Sequence, residues 1–309
     1  MTILVLFVIA FESDEFHGAT DRFVSRLPPT FALSMTADVS VITVSYNAFD
    51  EIDRTLDSVR DLTIRNRVEY IVIDGGSRDG TAERLRFRAA EIDRLIIEPD
   101  HGIYDAMNKG IAMATGRYVG LINAGDEYLA EGFGRLAHEA IRTQCEMVSG
   151  NMLFRHPHTG QLARKRYADT SIRRRDCFTN QSCSLVRRDV YKTHGRFDTA
   201  FDVVADVDFF LRVRPHIDLH LVEADVSKFD IGGCSSSCTF SRLPRFLDEL
   251  NRLYRRHRMP RRWKRLLING VKFSGMALVA SLWGTRRMHD QIMRRYLRHP
   301  DVDAVASAA

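Results

Sequence analysis

Residues 98–129 constrain the fold of this chain more than any other stretch. They read EPDHGIYDAMNKGIAMATGRYVGLINAGDEYL, which predicts a loop, a helix stopped at Gly116, a strand and a polar turn with a carboxylate. In an α/β sheet, ligands bind beyond the carboxyl ends of the strands. A short acidic turn at that edge can hold a divalent cation and, through it, a phosphate. The stretch therefore predicts a binding site at a sheet edge.

The same alternation of strands and helices continues on both sides of this stretch. Short β-branched or apolar runs that end in polar turns predict strands at 39–45, 70–73, 95–98, 118–122, 147–154, 180–186 and 219–222. Amphipathic or capped segments predict helices at 51–62, 81–90, 103–114, 131–143, 187–194 and 205–213. The polar segments 155–179 and 229–237 are interpreted as a hairpin or irregular loop and as a loop, respectively. The pattern predicts an α/β fold with a doubly wound sheet.

Composition and length divide the chain into three predicted parts. Its 309 residues are enough for one large domain with an appendage. We expect a poorly ordered N-terminal extension at 1–37, an α/β domain at 38–241 and a basic amphipathic helical region at 242–309. The apolar run at 1–11 lacks the preceding basic residues of a signal sequence and is too short to span a bilayer. A weak membrane contact is the alternative interpretation of this extension.

The cysteines favour a reduced, cytosolic protein. The five cysteines form no CxxC pair, and no histidine pair completes a zinc site beside Cys234 and Cys238. Reduced thiols are the ordinary state in that compartment.

The C-terminal region carries most of the positive charge. Residues 242–299 contain 16 Lys or Arg and 3 Asp or Glu, a balance of +13, so the rest of the chain carries 5 − 13 = −8. This asymmetry favours attachment to an anionic surface. Charge alone fits lipid or nucleic acid, but a basic arm without interleaved aromatic residues on an acidic body disfavours nucleic acid. Localisation on the inner face of the cytoplasmic membrane, as a peripheral protein, is the prediction.

Within that region, residues 266–283 are mostly apolar but are interrupted by Lys272 and small residues. Three alternatives stay open: an interfacial helix, a helix packed within the protein or in a dimer, and a membrane-spanning helix. The flanking basic residues favour the interfacial helix.

Three polar clusters at strand ends or helix starts are candidates for chemistry. Asp74 ends the second strand and can accept a hydrogen bond from a base or ribose, or cap a turn. The turn at 123–126 ends in Asp126, and one carboxylate suffices for a metal when phosphates and water complete its coordination. Asp206 and Asp208 are two apart at a helix start, so they point in different directions.

The order of these motifs resembles that of the family 2 glycosyltransferases, which have the GT-A fold. The shared features are the strand ending in Ser-Tyr-Asn, the Asp-Gly-Gly-Ser-Arg-Asp-Gly-Thr turn, HGIYDAMNKGI, LINAGD and Ala-Asp-Val-Asp, and they cover about 39–237. HGIYDAMNKGI and LINAGD are similar to the branch that makes bacterial exopolysaccharides and glycolipid glycans. The resemblance implies a Rossmann-like mixed sheet flanked by helices, with the basic helical extension after it.

The resemblance also implies roles for particular residues. The nucleotide pocket would be lined by Ser45, Tyr46, Asn47 and Asp74, and the diphosphate and donor sugar would be bordered by His101, Gly102 and Asp105. Asp126 would coordinate Mg²⁺ or Mn²⁺, with Asn123 offering an amide oxygen, and Asp206 would be the catalytic base. The implied partners are a nucleotide-sugar donor and a glycan or lipid-linked acceptor, whose hydroxyl displaces the nucleotide with inversion.

Several positions depart from the family's pattern. Asn123 and Gly125 replace the first acidic residues of the metal-binding turn, and Ala205 replaces a glutamate before the base. No Gln-x-x-Arg-Trp sequence is present, which favours single-sugar addition over polymerisation. A catalytically degenerate, membrane-associated scaffold is therefore one alternative. A sugar-phosphate nucleotidyltransferase is another, disfavoured because the turn at 46–50 has neither glycine nor lysine.

Overall fold

Four parallel strands form one half of the sheet in the computed structural model of this protein. They are β1 (Val39–Ser45), β2 (Val68–Asp74), β3 (Arg94–Ile97) and β4 (Tyr118–Asn123), in the order β3-β2-β1-β4. Strand β1 is buried along its whole length, as its β-branched sequence predicts. Because these strands are parallel, their carboxyl ends meet at one edge of the sheet.

The structure describes residues 37–62, 68–167, 180–231, 241, 243–259, 262–297 and 302–305. Nearly all of the predicted N-terminal extension, the second half of the loop predicted at 155–179 and most of the loop predicted at 229–237 lie outside these residues.

Three helices follow the parallel strands in turn: α1 (Ile52–Arg60), α2 (Thr81–Phe87) and α3 (Ile103–Met113). Helix α3 packs very closely on β1, since a methyl group added at Gly110 would lie 2.4 Å from Cγ2 of Ile42. The small residues of HGIYDAMNKGIAMA therefore serve close packing between α3 and the sheet. This packing holds the first turn of α3 beside the carboxyl ends of the strands.

The other half of the sheet is mixed. Its elements are β5 (Glu127–Tyr128), α4 (Ala130–Thr143), β6 (Met147–Arg155), β7 (Leu162–Lys165), β8 (Ser184–Arg187) and β9 (Leu219–Asp230). Strand β8 runs antiparallel to β4 and β6, while β9 runs parallel to β6 and pairs with β5. The predicted mixed sheet flanked by helices is confirmed.

Two predicted strands differ from the structure. The strand predicted at 219–222 continues to Asp230, because Val222, Ala224 and Val226 alternate into the core. Phe229 therefore belongs to a strand and not to a loop. The strand predicted at 180–186 begins with a short 3₁₀ helix at Gln181–Cys183, and only Ser184–Arg187 pairs in the sheet.

Two helices lie between β8 and β9. They are α5 (Arg188–His194) and α6 (Ala205–Val213), and the residues between them have no regular structure. Residues Phe197, Phe201 and Val204 of this connection are buried in the core.

The C-terminal region consists of α7 (Leu243–Arg256), α8 (Arg262–Tyr296) and the edge strand β10 (Val302–Val305). Helix α7 buries Phe246, Leu250, Leu253 and Tyr254, while α8 is interrupted at Gly284, whose φ is 83°. Strand β10 pairs antiparallel with β7 and so extends the sheet of the α/β domain. Among the described helices, none is both long and apolar enough to cross a membrane.

Candidate active site

An open cavity of about 610 Å³ lies where the carboxyl ends of β1, β2 and β4 meet. The turns after these strands and the start of α3 form its walls, as the parallel arrangement predicts. Six of the residues predicted for the site line it: Ser45, Tyr46, Asn47, Gly102, Asn123 and Asp126. The other four predicted residues, Asp74, His101, Asp105 and Asp206, lie outside its lining in this structure.

Asp74 holds the wall of the cavity from behind. Its carboxylate is fully buried and accepts from the backbone N–H groups of Gly76 and Ser77, at 3.1 and 2.8 Å. Its second oxygen accepts from the hydroxyls of Ser45 and Ser77, at 2.8 and 2.6 Å. These four donors account for both oxygens, so Asp74 fixes the Asp-Gly-Gly-Ser turn against the end of β1.

The turn after β1 presents an aromatic ring at the cavity. Asn47 has a positive φ of 48°, and its side-chain oxygen accepts from the backbone N–H of Arg78 at 3.0 Å. Its own backbone N–H donates to the hydroxyl of Ser77 at 2.8 Å. With the backbone tied down in this way, Tyr46 projects outward and is 61% exposed. Its ring offers a surface on which a flat base can stack.

The start of α3 closes the opposite side. Gly102 lines the cavity with a φ of 109°, a conformation that favours glycine. The neighbouring His101 is exposed, and its backbone N–H donates to the carboxylate of Asp105 at 3.1 Å. Asp105 also lies 3.5 Å from Nζ of Lys109. His101 and Asp105 therefore shape the helix start from outside the cavity.

Two oxygen atoms at the end of β4 are buried without a partner. Within the part of the chain that the structure describes, Oδ1 of Asn123 and Oδ2 of Asp126 accept no hydrogen bond. A buried polar atom without a partner costs about 1–3 kcal/mol, so a ligand that contacted these two oxygens would remove an unfavourable contribution. Both residues line the cavity.

Asp206 lies on the second position of α6 and is 3% exposed. Its Oδ1 accepts from the hydroxyl of Tyr104 at 3.0 Å and from the backbone N–H of Val207 at 2.8 Å. Asp208 points elsewhere, as the spacing predicts, and accepts from Arg256 and His257 at 3.1 and 2.9 Å. Burial raises the pKa of Asp208, but these two partners more than reverse that effect and lower it overall.

Comparison with known proteins identifies the family. The family model described as "Glycosyl transferase family 2" matches residues 40–195. An uncharacterised glycosyltransferase of Mycobacterium tuberculosis is 30% identical over 230 residues, which cover 70% of this chain and 85% of the relative. The chain belongs to glycosyltransferase family 2. A "PGL/p-HBAD biosynthesis glycosyltransferase" of Mycobacterium bovis is 29% identical over 215 residues, 64% of this chain and 79% of the relative.

Solved structures show that this glycosyltransferase has the GT-A fold. Residues 1–349 of Staphylococcus aureus TarS, in complex with UDP-GlcNAc, match with a TM-score of 0.58 at 14% identity. That match covers 70% of this chain and 65% of the TarS fragment. A mannosyltransferase from Pyrobaculum calidifontis, in complex with GDP-Man and Mn²⁺, matches with a TM-score of 0.56 at 15% identity over 85% of this chain and 88% of that chain.

Sequence reasoning missed five charged residues of this glycosyltransferase's cavity: Glu51, Arg54, Arg78, Asp100 and Asp230. Arg54 donates from Nη2 to the backbone oxygen of Gly125 at 2.6 Å and pairs with Asp230 at 2.9 Å. Arg155 pairs with the same aspartate at 2.5 Å. The alternation of apolar residues at 222, 224 and 226 is the signal that extends β9 to Asp230 and so brings it to the site.

The charges around Asp126 favour a cation at the cavity. Burial raises the pKa of Asp126 well above its ordinary value, and the negative charges of Asp230 and Glu51 add to this, while Arg54 opposes it. A divalent cation would remove the penalty of ionising Asp126 and give its orphan oxygen a partner. Among the described residues, no group of three or more His, Cys, Asp or Glu side chains could hold a metal ion alone. A cation here would therefore need phosphate or water oxygens as well.

The raised pKa of Asp126 predicts a pH-dependent stability. The folded protein keeps this proton above pH about 4, where an ordinary aspartate in the unfolded chain loses it. The free energy of unfolding therefore falls as pH rises from about 4 towards the raised pKa. Asp126→Asn needs no such proton, so we expect its Tm relative to the wild type to be higher at pH 7 than at pH 5, measured with EDTA.

The exposed Asp61 provides the matched control, because its side chain is 64% exposed. Asp61→Asn should track the wild type at both pH values. Parallel Tm curves for the wild type and Asp126→Asn across this range would contradict the electrostatic description of the site.

Proposed function

We propose that this glycosyltransferase transfers one sugar, with inversion, from a nucleotide-sugar donor to a hydroxyl of a glycan or lipid-linked acceptor. The products would be cell-surface polysaccharides or glycolipids. The observation that carries the proposal is the open cavity at the carboxyl ends of the strands, where the exposed ring of Tyr46 and the orphan oxygen of Asp126 both lie. The UDP-GlcNAc and GDP-Man complexes of the structural neighbours support a donor of this class.

The donor half combines stacking with hydrogen bonding. The base would stack on Tyr46 beside Ser45 and Asn47, in a wall that Asp74 keeps rigid. The diphosphate would lie towards Gly102, where the first N–H groups of α3 favour negative charge. His101 and Asp105 would border the diphosphate and sugar by shaping this helix start.

The residues present fit a divalent cation, Mg²⁺ or Mn²⁺, held at the diphosphate. Asp126 would coordinate it after losing its proton, and Asn123 would add its amide oxygen. Such a cation supplies neutralisation of the charge that builds on the departing nucleoside diphosphate. Asp230 and Glu51 add negative charge to the same wall, and Arg54 holds the turn through Gly125.

Asp206 would act as the general base. It takes the proton from the acceptor hydroxyl as that oxygen attacks the anomeric carbon opposite the leaving diphosphate. The new bond forms as the bond to the diphosphate breaks, so a single displacement inverts the anomeric centre. The contacts from Tyr104 and Val207 orient the Asp206 carboxylate for this step.

The proposed base can be tested by Asp206→Asn. We expect transfer to fall by about 10²–10⁴-fold, because the amide cannot accept the proton. Donor affinity should stay unchanged, since Asp206 lies outside the donor cavity. The measurements are nucleoside diphosphate release across UDP-, GDP- and dTDP-sugars, with an acceptor, and calorimetric donor binding.

An equal loss of donor affinity in Asp206→Asn would contradict its role as base. If the wild type bound a nucleotide sugar but transferred nothing from any donor, the degenerate scaffold would replace the enzyme as the interpretation.

The metal site is tested by Asp126→Ala. We expect Mn²⁺-dependent nucleotide affinity to fall by about tenfold or more, since one direct ligand is lost. Affinity measured in EDTA should change much less and serves as the control. Unaltered affinity in the presence of Mn²⁺ would rule out this role for Asp126.

Helix α8 supports the proposed attachment to an anionic membrane. Four of its apolar side chains are 48–69% exposed: Leu267, Val271, Leu278 and Leu282. Their spacing places them along one side of the helix. Exposed Arg286 and Arg287 follow the stripe, and the sequence before it is also basic. An apolar stripe flanked by arginine fits the interface of an anionic bilayer. We therefore place the enzyme peripherally on the inner face of the cytoplasmic membrane, with 242–309 as its attachment region.

Liposome sedimentation tests this surface. We expect the wild type to sediment with vesicles containing phosphatidylglycerol but not with neutral phosphatidylcholine vesicles. The double variant Val271→Asp/Leu278→Asp should stay in the supernatant, because it places two negative charges on the apolar stripe. Phe87→Ser is the matched control, since Phe87 is 84% exposed on α2.

A wild-type protein that ignored anionic vesicles would overturn the membrane proposal. Sedimentation velocity of the same variants distinguishes this from a dimer, because a dimer interface would make only the wild type and Phe87→Ser sediment as a larger species.

A further inference from the structure

The segment 195–204 decides where Asp206 lies, because it runs without regular structure straight into the first turn of α6. A carboxylate on the second position of a helix follows any movement of that helix start. The contacts of this segment with the rest of the protein therefore bear on the base that we propose.

Glu249 of α7 holds this segment by its backbone. Its side chain is fully buried, and its two oxygens accept from the N–H groups of Asp202 and Val203, at 3.1 and 2.9 Å. These residues precede the N-cap of α6, Val204. Arg245, one turn earlier on α7, pairs with Asp202 and lies 3.7 Å from Glu249. Two charge-assisted bonds to consecutive amides define the backbone direction at this point.

Tyr104 of α3 holds the same place from the other side. Its hydroxyl lies 3.0 Å from the backbone oxygen of Val203 and 3.0 Å from Oδ1 of Asp206. One hydroxyl hydrogen cannot serve both acceptors fully at once. Tyr104 can donate to Asp206 while the carboxylate is charged, and to Val203 once Asp206 has taken the acceptor's proton.

Further contacts hold the start of the segment and helix α6. Asn108, also on α3, exchanges two hydrogen bonds with the backbone of Phe197, at 2.9 and 3.1 Å. Arg256 of α7 bridges Asp198 and Asp208, at 2.7 and 3.1 Å. Helices α3 and α7 thus contact the segment 195–204 from two sides.

We propose that Glu249 and Tyr104 are positioning residues for Asp206, which makes the C-terminal helix α7 part of the acceptor half of the active site. The inference rests on the proposed function. It places a further residue of the site, Glu249, outside the residues 40–195 that the family model matches. It also gives Tyr104 and Asn108 of the HGIYDAMNKG motif a role on the acceptor side, although this motif also borders the donor cavity.

The first test uses Tyr104→Phe, which keeps the ring and removes the hydroxyl. A hydrogen bond to a carboxylate favours its charged form, so the acid limb of the kcat/KM profile should move to higher pH. The charged groups near the Asp206 carboxylate, namely Glu249, Arg245 and Asp202, are unchanged in this variant. We expect kcat to fall about tenfold or more while the KM for the donor stays unchanged.

The second test uses Glu249→Gln, which keeps the volume but replaces one acceptor oxygen with an amide group. Asp248→Asn is the matched control, because Asp248 is the preceding residue of α7 and is 64% exposed. We expect Glu249→Gln to lower kcat without changing the donor KM, and Asp248→Asn to behave as the wild type. Hydrogen exchange at the amides of Asp202 and Val203 should be faster in Glu249→Gln alone.

These readouts separate the two proposals. An unmoved acid limb in Tyr104→Phe, or parallel losses of kcat and donor affinity in both variants, would overturn the positioning role. If the wild type transfers no sugar, the proposed function fails. Hydrogen exchange then tests whether Glu249 holds the backbone of the segment 195–204. Unchanged protection at 202–203 in Glu249→Gln would refute this contact, and lost protection would support it.

Discussion

A carboxylate that leaves water must find hydrogen-bond donors or a positive charge, and this constraint shapes both halves of the site. Asp74 meets it with four donors and so makes a rigid wall for the donor cavity. Glu249 accepts from two backbone N–H groups just before α6, although burial still raises its pKa above the ordinary value. Asp126 meets it only in part, because one of its oxygens has no partner among the described residues. That contrast supports the proposed role of Asp126 as a ligand of a cation.

Helix α3 connects the two halves mechanically. Gly110 packs on Ile42 of β1, where an added methyl group would lie 2.4 Å from Cγ2, so the helix lies close against the sheet. The start of α3 borders the donor cavity at Gly102. Tyr104 contacts Asp206, and Asn108 contacts the segment 195–204 that precedes it. A displacement of α3 would therefore disturb the donor wall and the proposed base together. The HGIYDAMNKG motif at 101–110 therefore combines residues that border the donor cavity with residues that contact the segment 195–204 and Asp206.

The sequence predicted the parallel half of the fold and six of the residues that line the cavity, because both depend on local patterns. Runs of β-branched residues predict buried parallel strands, and the polar turns that follow these strands lie at the same edge of the sheet. The position of Asp230 depended instead on the length of β9, which a hydrophobic run of four residues underestimated. Glu249 could not be found locally at all. An isolated glutamate on an amphipathic helix is usually exposed, and only the fold shows that it is buried beneath Val203.

The C-terminal positive charge lies in two different environments. On α7, Arg245 pairs with Asp202, and Arg256 pairs with Asp198 and Asp208. The charge of these two arginines is therefore neutralised within the protein. On α8, Arg286 and Arg287 are exposed beside the apolar stripe. Helices α7 and α8 are consecutive and pack against each other. A membrane bound by α8 would therefore lie near α7, the helix that contacts the segment before Asp206. Under the proposed function, a lipid-linked acceptor would then meet the proposed base Asp206 next to the region proposed to bind the membrane.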